Sequence, residues 1–327
     1  MSKQVILQTD SMSSISAKMS QNYDELLQLI YEGSGQPHSD QDCFDAFVAE
    51  MNRYAGLFGM NDTLWNNPAG LPDDDDGHYS CAKDLARMVA CATAYPKLME
   101  YWGQTSYSVQ VGGPNARTIS GTSTYKGDAM TTVGNYYHIF GGKSGSITWH
   151  SVRYENLILV CKSKVDDAWL AGCIMYNTNL NPPDYPKSDR GVAFKEMLDW
   201  LEDYRQNPAT EAQTVQAQYC SAFVVPPHAA TAYQDVDLEM VGKSSTTHGH
   251  PASCTKLMTA MIVFDHLSMN DTITIKDFDI TAGSGDTFYA GDTLKVADAI
   301  LAMMLPSSNT LATAFARVVG NKILNGK

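Results

Sequence analysis

The sequence predicts an α+β fold with an antiparallel sheet flanked by helices, and three features carry that prediction. Between residues 105 and 175 the chain runs through short β-rich segments, SYSVQV, RTISGTS, NLILVCKS and AGCIMYN. Stretches with apolar residues at helical spacing lie before and after this region. Strand-like SAFVV and DTITI recur beyond a polar stretch at 205–218, so sheet elements lie on both sides of it.

Taken in order, residues 1–40 are polar and hold one amphipathic stretch, AKMSQNYDELLQLIYEG. It reads as a helix ending at Gly33 with an apolar stripe to bury, and GSGQPHSD after it reads as a linker. DCFDAFVAEMNRYAGLFG places Phe44, Phe47, Val48, Met51 and Tyr54 at helical spacing before a terminating glycine. NNPAGLPDDDDGH is a turn-rich loop whose aspartates read as solvated. SCAKDLARMVACATAY reads as a helix with Ser80 as its N-cap. After the β-rich region VAFKEMLDWLEDY is an amphipathic helix, and RQNPATEAQTVQAQ, without apolar periodicity, is a linker. SCTKLMTAMIVFDHL, VADAILAMMLP and SNTLATAFARVV read as further helices.

A chain of 327 residues with 44% hydrophobic content supports a large core, in one big domain or two ordinary ones. The net charge of -13 argues against nucleic acid and anionic membranes as partners. No run approaches 18 apolar residues, so no integral membrane segment is expected. The seven cysteines form no CxxC pair and read as buried small hydrophobes rather than a disulfide framework. His248 and His250 lie near Cys254, but the spacing matches no standard zinc site, so neither a metal nor a cofactor is expected.

The chemistry concentrates in HPASCTKLMTAMIVFDHL. Ser253 and Lys256, three residues apart at a helix start, share one face. A serine hydroxyl is a poor nucleophile until a neighbour takes its proton, and a lysine does so when burial or other cations depress its pKa. The helix N-terminus adds N–H groups where an oxyanion forms. S-x-x-K at a helix start is therefore a coherent acylation device.

The flanks of that device are informative. PASCTKLMTA is similar to the PAS-x-TK-x-MTA sequence around the nucleophile of the D-alanyl-D-alanine carboxypeptidases. These are the low-molecular-weight penicillin-binding proteins of the serine β-lactamase-like superfamily. GDTLKVADAILAMMLPSSNTLATAFAR resembles the segment carrying that family's second motif, S-x-N, here Ser307, Ser308 and Asn309. FGGKSGSIT resembles the third motif, here Lys143, Ser144 and Gly145. NDTLWNNPAGLPDDDDGHYSCAKDLARM resembles the family's Asn-Pro-Gly-Leu loop and following helix. The resemblance covers roughly residues 42 to 327 and leaves out residues 1 to about 40.

The family's order is S-x-x-K, then S-x-N, then K-T-G, whereas here K-S-G comes first. The chain therefore reads as circularly permuted. Residues 41–204 correspond to the family's C-terminal portion and 219–327 to its N-terminal portion. The stretch 205–218, about 14 residues, would join elements that neighbour each other on one sheet. Residues 41–327 would then form one catalytic domain of the β-lactamase/transpeptidase-like fold, with a mostly helical subdomain beside the sheet, and 1–40 an N-terminal extension.

The resemblance implies a serine-type carboxypeptidase acting on peptidoglycan stem peptides that end in D-Ala-D-Ala, and acylated by β-lactam antibiotics. It implies Ser253 as nucleophile, Lys256 as base, Ser307 as proton relay and Asn309 as an orienting group. It implies Lys143 and Ser144 as holders of the terminal carboxylate. Gly145 permits close approach, and the N–H groups of Ser146 and Ser253 form the oxyanion hole. The loop PAGLPDDDD lacks the E-x-x-L-N-like stretch of class A β-lactamases, which favours a peptidase. A β-lactamase or esterase of the same fold, and a catalytically impaired penicillin or muropeptide binder, are the alternatives. The family implies an extracytoplasmic location, in the cell envelope or secreted. MSKQVILQTDSMSS contains no long apolar export core, which leaves a cytosolic chain or a mature or engineered form open. Cys254 departs from the small or β-branched residue common there and reads as a thiol off the Ser253–Lys256 face, open to oxidation or alkylation.

Overall fold

The computed structural model describes residues 38–72, 77–125, 132–149, 152–163, 165–177, 190–226 and 237–326. The helix expected near 17–33 and the aspartates at 73–76 lie outside those residues.

Helix α1 (Asp40–Leu57) starts at a capping box in which the Ser39 hydroxyl and Asp42 carboxylate each accept the other's backbone N–H. It buries Cys43, Phe47, Met51, Tyr54 and Ala55. Phe44 and Val48 sit at the half-buried margin of that stripe. Helix α2 (Ala82–Ala92) is capped by Cys81 rather than Ser80; the Cys81 thiol accepts the Asp84 N–H at 3.5 Å. Ser80 is occupied otherwise, because its backbone pairs with Gly249 and its hydroxyl lies 2.8 Å from that of Thr63. Helix α3 (Pro96–Trp102) opens on a proline, whose missing N–H costs nothing in a first turn.

The main sheet has five strands in the order β3 (His138–Trp149), β4 (Val152–Lys162), β5 (Trp169–Asn177), β6 (Tyr219–Val224) and β7 (Val241–Lys243). Every neighbouring pair is antiparallel, and β3 is an edge strand. SYSVQV and RTISGTS do not join this sheet. They form a separate hairpin of β1 (Ser106–Val111) and β2 (Arg117–Thr122). The alternation along β1 turns Tyr107, Val109 and Val111 into the helical core, which draws the hairpin away from the sheet. A short pair, β8 (Thr272–Thr274) and β9 (Thr293–Lys295), meets that hairpin through a bridge between Gly112 and Thr293.

Helix α4 (Arg190–Gln206) covers one face of the main sheet, packing Phe194, Met197, Leu198 and Leu201 with Leu157, Leu159, Leu170 and Ile174. The other face presents Ile158, Val160, Cys173 and Phe223 to a core shared with α1, α2, α5 (Lys256–His266), α6 (Val296–Met304) and α7 (Asn309–Leu324). Being covered on both faces explains why β4 and β5 read as nearly unbroken apolar runs. The arrangement is thus α+β, as expected.

Two connections bear on chain order. Helix α1, near the start of the described chain, packs along α7, near its end. The stretch 205–218 is tethered rather than a free linker. Val215 and Ala217 are buried, Gln216 bonds to Glu196 through backbone and side chain, and Lys243 Nζ donates to the carbonyls of Val215 and Ala217. Anchoring at two alternate residues leaves no helical periodicity to read. All seven cysteines are free and buried. Among the described residues no helix is long and apolar enough to cross a membrane.

Candidate active site

Ser253 lies not in an α-helix but in a 3-10 turn, Ala252–Thr255, with α5 beginning at Lys256. In a 3-10 turn residues i and i+3 eclipse one another. Lys256 Nζ accordingly stands 2.9 Å from Ser253 Oγ. Ser253 is half-buried and Lys256 fully buried. Two acceptors hold the amine: the Ala69 carbonyl at 2.8 Å and Asn309 Oδ1 at 2.8 Å. Asn309 is itself fixed, donating from Nδ2 to the Ala282 carbonyl at 2.9 Å. Ala252, just before Ser253, has φ 49°, and Ser307, which opens S-x-N, has φ 73°. Residues with a Cβ rarely adopt that region, and such strain gathers at functional sites.

The Ala69 carbonyl is aimed by its own loop. Asn67 Oδ1 accepts the N–H groups of Ala69, Gly70 and Leu71 at 3.2, 2.7 and 2.9 Å, and Asn67 Nδ2 donates to the Leu71 carbonyl. One carboxamide thus closes the whole turn. Gly70 has φ 79°, and a Cβ there would stand 1.8 Å from the Ala252 carbonyl, so only glycine lets this turn pass so close to the 3-10 turn. The buried His78 ties the same loop to the 3-10 turn. Its Nδ1 accepts the Asn66 N–H, so Nε2 carries the proton and donates to Thr255 Oγ1 at 3.1 Å.

On the opposite wall runs β3. Lys143 is fully buried, and its Nζ donates to Ser307 Oγ at 2.9 Å and to the Ser144 carbonyl at 2.8 Å. Gly145 faces the 3-10 turn. A Cβ there would stand 2.8 Å from the Pro251 carbonyl and 3.1 Å from the Ser253 nitrogen. A side chain at this position would push strand and 3-10 turn apart. Ser144 is nearly buried, whereas Ser146 is exposed and accepts from Arg190 at 3.3 Å. Arg190 also faces Glu155 at 3.6 Å.

Burial dominates the electrostatics. It brings the Lys143 ammonium down to about 8, with Cys254 opposing and Arg190 adding to the fall. It drives Lys256 well below the ordinary lysine range, and the positive charge of Lys143 lowers it further. Cys254 is buried with Sγ directed at the Lys143 carbonyl, 3.6 Å away, and burial raises its thiol to about 11. It packs strand against turn, off the Ser253–Lys256 face, and burial closes it to the oxidation or alkylation that the sequence suggested.

One group could offer metal ligands. Asp62, Cys81 and Asp84 place ligand atoms within 4.8 Å of one another. The Asp84 carboxylate accepts the Asp62 N–H and the Thr63 hydroxyl, and Cys81 caps α2, so the group closes a helix start. His248 stacks on Tyr79 with ring centroids 4.3 Å apart and lies 3.6 Å from Asp62.

The structure joins Ser253, Lys256 and Asn309 in one hydrogen-bonded group and Lys143 and Ser307 in another, and Gly145 on the strand of Lys143 packs against the turn that holds Ser253. Sequence reasoning missed Asn67 and the Ala69 carbonyl as direct partners, and missed His78, Arg190 and Thr124. The loop NNPAGL was the available signal for the first two; nothing local marks the others.

No curated protein and no solved structure matches the chain. Residues 43–147 match the family model of D-alanyl-D-alanine carboxypeptidase, and through that segment, which carries Asn67, Ala69, Lys143, Ser144 and Gly145, the chain is related to the D-alanyl-D-alanine carboxypeptidase family.

Proposed function

We propose that this chain is a serine-type D,D-carboxypeptidase that removes the terminal D-Ala from peptidoglycan stem peptides through an acyl-enzyme on Ser253, and that penicillins acylate the same serine. The observation that carries this reading is the surrounding of Lys256 Nζ by Ser253 Oγ, Asn309 Oδ1 and the Ala69 carbonyl. A neutral amine has two N–H donors and one lone pair. With both donors given to the carbonyl oxygens of Ala69 and Asn309, the lone pair is left for the Ser253 hydroxyl.

Ser253 Oγ then attacks the carbonyl carbon of the penultimate D-Ala as its proton passes to Lys256. The oxyanion is met by the N–H groups of Ser253 and Ser146, a contribution of about 3 to 4 kcal/mol per donor in other acyl-transfer enzymes. When the C–N bond breaks, Lys256 gives that proton up to the departing nitrogen by way of Ser307, whose hydroxyl is held by Lys143. Water adds to the ester as its proton passes to the again neutral Lys256, which returns it to Ser253 Oγ as the acid leaves. Lys143 and Ser144 hold the terminal carboxylate. Such a substrate places the reaction outside the cytoplasm, in the envelope or in secreted material.

The connectivity reads as a circular permutation of the family order. The family match over residues 43–147 precedes both Ser253 and Ser307, which supports this. So does the packing of α1 along α7, and the place of β6 beside β5 after a short tethered connection.

The test is release of D-alanine from an N-acylated peptide ending in D-Ala-D-Ala. Wild type should release it, and Ser253→Ala and Lys256→Ala should each lose at least about a thousandfold in rate. Equal release by Ser253→Ala, or none by wild type, would contradict the reading.

A further inference from the structure

We propose that Thr124 is a positioning residue for substrates that carry a free terminal carboxylate, acting through the Ser144 hydroxyl. The proposal rests on the carboxypeptidase reading above and deepens it.

Thr124 lies two residues beyond β2 and touches both walls of the cleft. Its Oγ1 is 2.8 Å from Ser144 Oγ on β3. Its N–H donates to the Leu305 carbonyl at 2.9 Å, on the segment that leads into Ser307. Its neighbours hold it in place: the Ser123 N–H donates to the Thr105 carbonyl at 2.9 Å, and the ring of Tyr125 is fully buried. The Thr124 side chain is exposed, whereas Ser144 is only 5% exposed. The hydroxyl of an exposed residue thus bonds the nearly buried hydroxyl assigned to the carboxylate.

The direction of that bond matters. Two hydroxyls sharing one hydrogen bond divide the roles of donor and acceptor. A carboxylate only accepts, so Ser144 serves it by donating its own proton. The productive arrangement is Thr124 O–H donating to Ser144, and Ser144 O–H donating to the carboxylate, with each bond polarising the next. Valine has the shape of threonine without the donor, and serine keeps the donor without the methyl.

The experiment compares wild type, Thr124→Val and Thr124→Ser in the full chain. Acylation rates by benzylpenicillin and by its methyl ester, which lacks the carboxylate charge, are read by intact mass. Thr124→Val should slow acylation by the free acid about tenfold, the loss of one hydroxyl–hydroxyl bond, while the ester rate stays within about twofold of wild type. Thr124→Ser should restore the free-acid rate. A merely structural role would slow both reagents alike, and that result would overturn the proposal, as would no change with either or failure of serine to rescue. If the valine variant does not fold, Thr124→Ala, which only removes atoms from an exposed side chain, carries the same expectation. No adduct on wild type would overturn the carboxypeptidase reading and this inference with it. An adduct on wild type without selective loss in the variants would overturn this inference alone.

Discussion

The Ala69 carbonyl accepts a hydrogen bond from Lys256 Nζ at 2.8 Å, although 187 positions separate the two residues. That bond and the one to Asn309 flank the contact of the same amine with Ser253 Oγ. Lys256 Nζ is therefore positioned by a backbone carbonyl, and the carbonyl by the side chain of Asn67.

Replacing Asn67 by alanine removes the acceptor shared by three backbone N–H groups and should let the loop relax. The expected cost is about 1 to 3 kcal/mol of stability, read by urea unfolding, and about a tenfold to hundredfold loss in acylation by benzylpenicillin. Unchanged acylation would show that the loop does not aim the base.

The buried ammonium of Lys143 makes the fold pH-dependent in a definite direction. An unfolded lysine keeps its proton to about 10.4, whereas burial releases it near 8 in the folded chain. Between these values the unfolded chain binds more protons, so stability from this group rises with pH. Below pH 8 the full cost of burying the charge, about 3 kcal/mol, remains. Lys143→Met removes that cost. Its stability relative to wild type should therefore be highest below pH 8 and decline by about 3 kcal/mol toward pH 10.4, measured by urea unfolding across that range. A difference flat in pH would contradict the assignment. Removing the positive charge that lowers Lys143, by Arg190→Met, should move the wild-type change to higher pH.

Cys254 follows Ser253 in sequence, and its thiol is directed at the Lys143 carbonyl. Its thiol is buried and raised to about 11, so iodoacetamide at pH 7 should label native protein at neither Cys254 nor the six other buried cysteines. Cys254→Ala should keep acylation within about threefold of wild type and cost about 1 to 2 kcal/mol from lost packing against β3. Rapid labelling with loss of acylation would assign the thiol a chemical part.

Much of this was legible in the residues. The apolar spacing of Phe47, Met51 and Tyr54 marked α1, and the β-rich run NLILVCKS marked a strand of an antiparallel sheet. Ser253 and Lys256 announced each other because their pairing is local, one turn apart. What escaped was contact between distant segments. Nothing near Arg190 signals that helix α4 begins beside Ser146, and nothing near Thr124 signals that it reaches both Leu305 and Ser144. The cap of α2 was misplaced by one residue because Ser80 is drawn into a bridge with Gly249, a partner 169 positions away in |80−249| and invisible to local preference. The hairpin of β1 and β2 was assigned to the main sheet because strand propensity does not say which neighbour a strand will choose.

The central claim is that three separated segments converge into a cleft whose nucleophile is Ser253. Intact mass spectrometry after incubation with benzylpenicillin, on wild type and Ser253→Ala, tests it most directly. The account predicts a single covalent adduct on wild type, mapped by peptide digestion to the segment holding Ser253, and none on the variant. No adduct on wild type, or an adduct that survives in Ser253→Ala, would contradict it.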